Sequence, residues 1–338
     1  MSDERVTEME TNNGSILQPR RLVQILFVLA SIYIGWRFIN YFAYLETAGA
    51  AGSPLRPAGV EAFVPLSALV GLRAWLGTGA FDPIHPAGLT ILLIAILMSL
   101  VLRKAFCSWI CPFGFLEEML SLVGVKVRPR KLAVPKWLDL ALRSIKYILL
   151  FLFVAGVFLM MSGLDAVSFV QSPYNMMVDV KMLLFFINIS AVGVGIFAFL
   201  IIMSLFIEHF WCRYLCPYGA LLGLFGWFSP ARIQRDTTLC INCHACDQAC
   251  PGRLKVSSAK TVSSPECNSC LSCVNKCPVN GALEYNFLGR FGRNKYFLPA
   301  AVLAIFILGV AAAKMTGHWD SALDVKDAIV LFKAIDSI

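Results

Sequence analysis

Five long apolar runs constrain this chain more than any other feature. Leu22–Leu45, Ala87–Leu102, Tyr147–Leu164, Met182–Ile207 and Tyr296–Ala313 carry at most one charged residue each. Crossing a hydrocarbon layer ~30 Å thick takes roughly 17 to 25 mostly apolar residues, and these runs are read as spans. Within such a layer each backbone N–H must be bonded inside its own segment, so the runs are expected to be helices. Composition agrees: 58% of the 338 residues are hydrophobic and 15% charged, with a mean hydropathy of +0.71, too apolar for a core wrapped in a polar surface. A sixth apolar stretch, Ala62–Leu72, is bounded by Glu61 and Arg73 and too short to span. It reads as a re-entrant or interfacial helix. The acidic start MSDERVTEME lacks a basic leader region, so the first run is expected to stay as an anchor.

Basic residues set the expected orientation. Nine Lys and Arg lie between the second and third runs and ten between the fourth and fifth, whereas Glu46–His85 holds two and Asp165–Lys181 one. By the positive-inside rule the amino terminus, with Arg20 and Arg21, and both basic connections are cytoplasmic, and the carboxyl terminus is periplasmic. The net charge of +8 is then a topology signal, and nucleic-acid binding is a poor reading of it.

All twelve cysteines fall inside motifs. Two runs, CINCHACDQACP from Cys240 and CNSCLSCVNKCP from Cys267, spell C-x2-C-x2-C-x3-C-P, the pattern of bacterial two-cluster ferredoxins. Three thiolates on a tight loop wrap one face of a four-iron cube, and the fourth, before proline, reaches the neighbouring cube. One [4Fe-4S] cluster is therefore expected on Cys240, Cys243, Cys246 and Cys277, and the other on Cys267, Cys270, Cys273 and Cys250. A disulfide scaffold conflicts with the reducing side of the membrane, and the tandem runs exceed what a zinc ribbon uses. Cys240 to His244 also spells the c-type haem string C-x-x-C-H, but that leaves Cys246, Cys250 and the second run unexplained.

Two membrane-adjacent C-x3-C-P phrases followed by a two-cluster ferredoxin segment resemble the membrane polyferredoxins of the NapH and NosR type, over about Ile84 to Tyr285. The resemblance implies electron transfer between the quinone pool or a cytoplasmic donor and a periplasmic reductase system. It also implies a bacterial cytoplasmic (inner) membrane location, with partner redox subunits, quinone and membrane lipid as partners. The long amino-terminal flavin-binding region of NosR-type proteins and the immunoglobulin-like carboxyl domain of related assembly proteins are not read here.

The phrases themselves are FCSWICPFG (Phe106–Gly114) and WCRYLCPYG (Trp211–Gly219). Both follow runs of the same direction, a parallel internal repeat. Proline disfavours helical geometry for the residue before it, so each phrase is expected to break the helix near Cys107 or Cys212 and start a new one at Pro112 or Pro217. Thiols at such a break sit near free N–H groups that favour thiolate. Cys107, Cys111, Cys212 and Cys216 then have three readings: a further iron–sulfur centre, redox-active dithiols, or small buried residues at a helix break.

Quinol oxidation needs a proton acceptor beside an electron acceptor. Glu117, Glu118, Glu208 and His209 flank the breaks and are candidates, although interfacial charges meeting headgroups are the preferred reading. Arg37, inside the first run, is expected to snorkel or pair with an acid. His85 reads as a satisfied turn residue. In the tail, Ser321 is a candidate N-cap for a helix with Leu323, Ile329, Val330 and Phe332 on its apolar face, suited to a membrane surface or a periplasmic partner.

The expected fold is an all-α polytopic membrane protein of about five transmembrane helices with a small α+β ferredoxin-like 2[4Fe-4S] insert. Its parts are a tail at 1–21, a membrane domain at 22–230, the ferredoxin-like domain at 236–290, a fifth span at 291–314 and an outer amphipathic tail at 315–338. The expected function is relay of single electrons between clusters, a quinol dehydrogenase-like subunit being its enzymatic form. A reductant or assembly factor for another metalloenzyme, and a structural anchor of a redox complex, are the alternatives.

Overall fold

The computed structural model describes residues 17–127, 134–289 and 296–334. Apolar helices carry the chain: α1 (Leu17–Glu46), α2 (Pro65–Thr78), α3 (Pro86–Leu102), α4 (Ala105–Trp109), α5 (Pro112–Val127), α6 (Lys136–Leu159), α7 (Gly163–Val170), α8 (Pro173–Met176), α9 (Val178–Ile187), α10 (Ala191–Phe206), α11 (Pro217–Trp227), α14 (Phe297–Met315) and α15 (Val325–Lys333). Between α11 and α14 lie β1 (Ala231–Arg235), α12 (Ala245–Gln248), β2 (Thr261–Val262), α13 (Ser272–Asn275) and β3 (Leu283–Phe287). The sheet has order β2-β1-β3, both pairings antiparallel, with Ile233 opposite Val262 on one side and Tyr285 on the other. Ala231, Ile233, Leu283 and Tyr285 are buried, the period-two pattern of a sheet with one covered face.

Among the described residues three helices, within α1, α6 and α14, are long and apolar enough to cross a membrane. Large side chains along them, such as Leu29, Trp36, Phe151 and Leu308, are 57%, 58%, 66% and 68% exposed, which suits hydrocarbon and not water. The chain is thus a helical membrane protein with a ferredoxin insert. The expected second span is the shorter α3, 17 residues long.

The expected fourth span is not one straight rod, because α9 and α10 meet at a bend of 87°. The last helical bond of α9 runs from Asn188 N–H to Leu184 O, and Ser190 Oγ accepts from Gly193 N–H to start α10. A single serine cap in an apolar run thus opens a new helix. The expected third span is displaced as well. Helix α6 starts at Lys136 and ends at Leu159, and Ser162 with Asp165 forms a capping box that opens α7.

The chain divides into two compact units, one drawn from the described residues of Met1–Val28, Ala95–Tyr147 and Leu200–Ile305, the other from Leu29–Ile94, Ile148–Phe199 and Phe306–Ile338. The first holds every cysteine and the sheet. The second has a polar centre that hydropathy did not anticipate. Glu61, expected to bound an interfacial helix, is buried in a 3-10 turn and accepts from Gly88 N–H at 2.9 Å. Arg56 pairs with Asp179 at 2.8 Å, and His85 is satisfied on both ring nitrogens, by Arg56 at 2.9 Å and Asn175 O at 2.6 Å. Arg37 meets no acid among the described residues; it donates to Tyr33 Oη at 3.3 Å.

The tail helix α15 is capped by Asp324, which accepts from Lys326 N–H, whereas Ser321 Oγ donates to Ile84 O at 2.6 Å. Leu323, Ile329 and Phe332 pack on the unit's own core of Phe38, Tyr41, Leu45 and Met177. Val330, expected on that face, is 66% exposed.

Candidate iron-sulfur site

The two C-x2-C-x2-C loops are wound alike. Asn242 and His244 in the first, and Ser269 and Leu271 in the second, have φ of 53°, 59°, 51° and 61°. Paired left-handed residues, unusual outside glycine, turn successive N–H groups and thiols toward the inside of the loop, a concavity that holds anions. Short helices α12 and α13 then carry the third cysteine of each loop, Cys246 and Cys273.

A cavity in the first unit is lined by Cys240, Cys243, Cys246 and Cys277, with Ile241, Pro278, Val279 and Leu283 among its apolar walls. Cys277 thus stands with the three cysteines of the first loop. Cys250 in turn lies within electrostatic reach of Cys270 and Cys267, and Cys273 of all three. Burial first, then the charge of Cys270, pushes the Cys250 thiol up to about 12. Packed thiols of this kind resist ionising together unless a cationic core compensates them. Among the described residues no three His, Cys, Asp or Glu side chains converge as ligands of a single ion. Thiols spaced around a cavity suit the separate corners of a cubane. His244, the haem-string residue, is exposed and occupied with Ser257 Oγ at 3.0 Å.

The C-x3-C-P phrases break the chain twice each. Helix α3 ends at Leu102 and Arg103 turns left-handed at φ 62°; His209 does the same at φ 54° before the second phrase. Both turns lie shortly before the first cysteine, Arg103 before Cys107 and His209 before Cys212. Cys107 rides on α4, and Cys212 on a π turn, Trp211–Leu215, a local geometry frequent at functional sites. Pro112 and Pro217 open α5 and α11. Cys216 is the N-cap of α11, its Sγ accepting from Gly219 N–H at 3.3 Å, and Phe113 and Gly114 N–H groups serve Cys111.

The four thiols are brought into one neighbourhood. Burial, then the charges of Cys216, Cys111, Glu117 and Cys107, raises the Cys212 thiol, and Tyr218 lies within reach of Cys107, Cys111 and Cys216. Close approach needs Gly114, where a Cβ would fall 2.0 Å from Cys107 O.

This neighbourhood is fastened to the second loop. Ser108 Oγ donates to Asn268 O at 2.6 Å and Trp109 Nε1 to Ser269 O at 3.1 Å. Arg103 donates to Val262 O and, at 2.6 Å, to Ser264 O. Glu266, beside Cys267, binds Lys146 at 2.6 Å and Tyr147 Oη at 2.8 Å. Burial opposes the Glu266 charge, but Lys104 and Lys146 outweigh it and hold the carboxyl down at about 2. From the second phrase, Arg213 donates to Pro251 O at 3.3 Å, next to Cys250, and pairs with Asp139 at 2.7 Å.

The expected proton acceptors part company. Glu118 is tied to Arg20 and to Gln24. Glu208 also has its own interactions, and His209 N–H donates to Ser121 Oγ at 3.2 Å. Glu117 is buried; its Oε1 accepts from Ser204 at 2.9 Å and its Oε2 has no partner among the described residues. Lys104, Glu266 and Trp109 were not foreseen. The Arg103-Lys104 pair was legible only as charge, since nothing local shows where a lysine chain points.

Comparison with known proteins supports iron–sulfur binding. A 4Fe-4S binding domain model matches residues 84–131 and 189–235, one match on each C-x3-C-P phrase, and a 4Fe-4S dicluster domain model matches 232–278. YccM of Escherichia coli K12, whose name assigns it provisionally to electron transport, is 38% identical over 89% of this chain and 86% of its own length. NirI of Paracoccus denitrificans is 30% identical over 52% of this chain and 26% of its own. The ferredoxin-type protein NapH of Haemophilus influenzae is 28% identical over 56% and 64%. No solved structure matches. Motif order, family models and a relative aligned over most of both lengths place the chain in one family: it belongs to the membrane polyferredoxins of the NapH and NosR type, as an iron–sulfur electron-transport protein.

Proposed function

We propose that the chain relays single electrons through three sites in a row. The first is at Cys240, Cys243, Cys246 and Cys277, and the second at Cys267, Cys270, Cys273 and Cys250. The third is an iron–sulfur site shared by Cys107, Cys111, Cys212 and Cys216. Iron–sulfur clusters supply one-electron chemistry, with potentials tuned by burial and by hydrogen bonds to sulfur. The observation that supports the row is the double hydrogen bond from Ser108 and Trp109 to the Cys267–Cys270 loop. It ties the second site to the helix that carries Cys107. The donor side is the quinone pool or a cytoplasmic carrier, the acceptor a partner redox enzyme, and the location the bacterial inner membrane with the ferredoxin segment cytoplasmic. For quinol, Glu117 is the proton acceptor the structure favours, because it alone of the four candidates pairs burial with an open carboxylate oxygen.

The test is iron and sulfide counting with EPR redox titration of the purified protein, before and after Cys107→Ser and Cys212→Ser. Loss of one cubane's iron and one EPR signal is expected. Iron for two cubanes in every variant rejects the third site. Added quinol should reduce the wild type, and Glu117→Gln should slow that reduction by ~10²-fold or more.

A further inference from the structure

Lys104 is buried, at 6% exposure. An ammonium is a strongly hydrated point charge with three donors, so a buried one needs compensation. Here the compensation is charge. Cys107, Glu266, Cys216 and Cys212 all lie within electrostatic reach of the ammonium. Room for this is left by Gly219, where a methyl group would lie 3.5 Å from Lys104 Nζ and 3.6 Å from Cys216 Sγ. Backbone N–H groups already serve Cys111 and Cys216. At Cys107 the largest favourable interaction is the Lys104 charge itself. One buried cation is therefore shared between three of the membrane-side thiols, Cys107, Cys212 and Cys216, and the acid that precedes Cys267.

We propose that Lys104 is a positioning residue for electron transfer, a permanent cation that raises the reduction potential of the four-thiolate site and of the adjoining Cys267–Cys273 site. The inference rests on the iron-ligating reading of the four thiols. When one electron enters, no bond forms or breaks, and the site gains one negative charge. In a buried, low-dielectric setting that charge is held chiefly by nearby fixed cations. Lys104 faces both sites, so it favours the reduced form of each and lets an electron pass between them without a large step in energy.

The test uses the full-length protein in detergent as wild type, Lys104→Met, Lys104→Gln and Lys104→Arg. Iron and sulfide are counted, then midpoints are read by EPR during titration with dithionite. Lys104→Met is expected to keep its iron and lose at least tenfold in the equilibrium for electron uptake at the four-thiolate site. That is about 59 mV for one electron. Lys104→Arg should recover most of the loss. Lys104→Gln, which removes the charge but keeps a polar end, should lose as much as Lys104→Met. Unchanged midpoints in Lys104→Met overturn the proposal; if that variant loses iron, unchanged midpoints in Lys104→Gln overturn it. Failure of the cluster reading is separate, since it appears as iron content that Cys107→Ser and Cys212→Ser leave intact.

Discussion

The two cysteine loops are spelled alike and wound alike, yet one is open and the other enclosed. Around the first, Cys243 is exposed, and Leu239 and Ile241 are 47% and 64% exposed. Around the second, Cys270, Leu271 and Cys273 are buried, at 6% to 7% exposure. The difference comes from the surroundings. The first loop is held mainly by its own neighbours, Asp236 accepting from Thr238 and Asp247 from Ser257. The second is held by Ser108, Trp109, Arg103, Lys146 and Tyr147, all more than a hundred residues away in sequence. Under the proposed relay, the open loop is the one placed to meet a partner and the enclosed loop the one next to the membrane-side thiols. One sequence pattern therefore conceals two different degrees of enclosure.

That contrast can be broken from the enclosed side first. Glu266→Ala leaves the fully buried Lys146 ammonium uncompensated and is expected to cost about 3 to 5 kcal/mol, read as loss of the second site's EPR signal at lower denaturant than the first. Simultaneous loss of both signals would mean the loops do not depend on separate anchors. Arg103→Met strips two carbonyls, of Val262 and Ser264, of their donor, for about 3 kcal/mol. The same denaturant titration checks it, and an unchanged midpoint argues that water replaces the guanidinium. Trp109→Phe keeps an aromatic ring but removes the indole N–H from Ser269 O and leaves part of a fully buried volume empty, for about 2 kcal/mol, with a shifted EPR line shape confined to the second site. At the open loop, Ile241→Ser is expected to change stability by no more than about 0.5 kcal/mol while slowing electron exchange with a soluble partner. Equal exchange rates would remove the open loop from partner contact.

Local features were readable along the chain. Pro112 and Pro217 begin helices because proline at the first helical position gives up an N–H that has no acceptor there. Apolar length marked the runs that became α1, α6 and α14. Hydropathy did not see the bend between α9 and α10, since Ser190 acts by capping and barely alters an average. It also placed Glu61 at a helix boundary, whereas the chain buries it among Arg56, His85 and Gly88. Ser321 looked like an N-cap by type, but Asp324 took that position while Ser321 bonded to Ile84 O. Such choices are between equally suitable residues, and only the packing around them decides.

What the sequence by itself determined is the inventory: twelve thiols in four motifs, the apolar runs beside them, and two proline-started helices after paired cysteines. These follow from bonds between residues at most a few positions apart. The tertiary structure alone decided which ferredoxin loop is enclosed, that Lys104 stands among the membrane-side thiols, and that Glu117 keeps an open oxygen. Those outcomes depend on partners such as Trp109 and Ser269, 160 residues apart. Burial and charge compensation between such distant groups have no trace in local pattern.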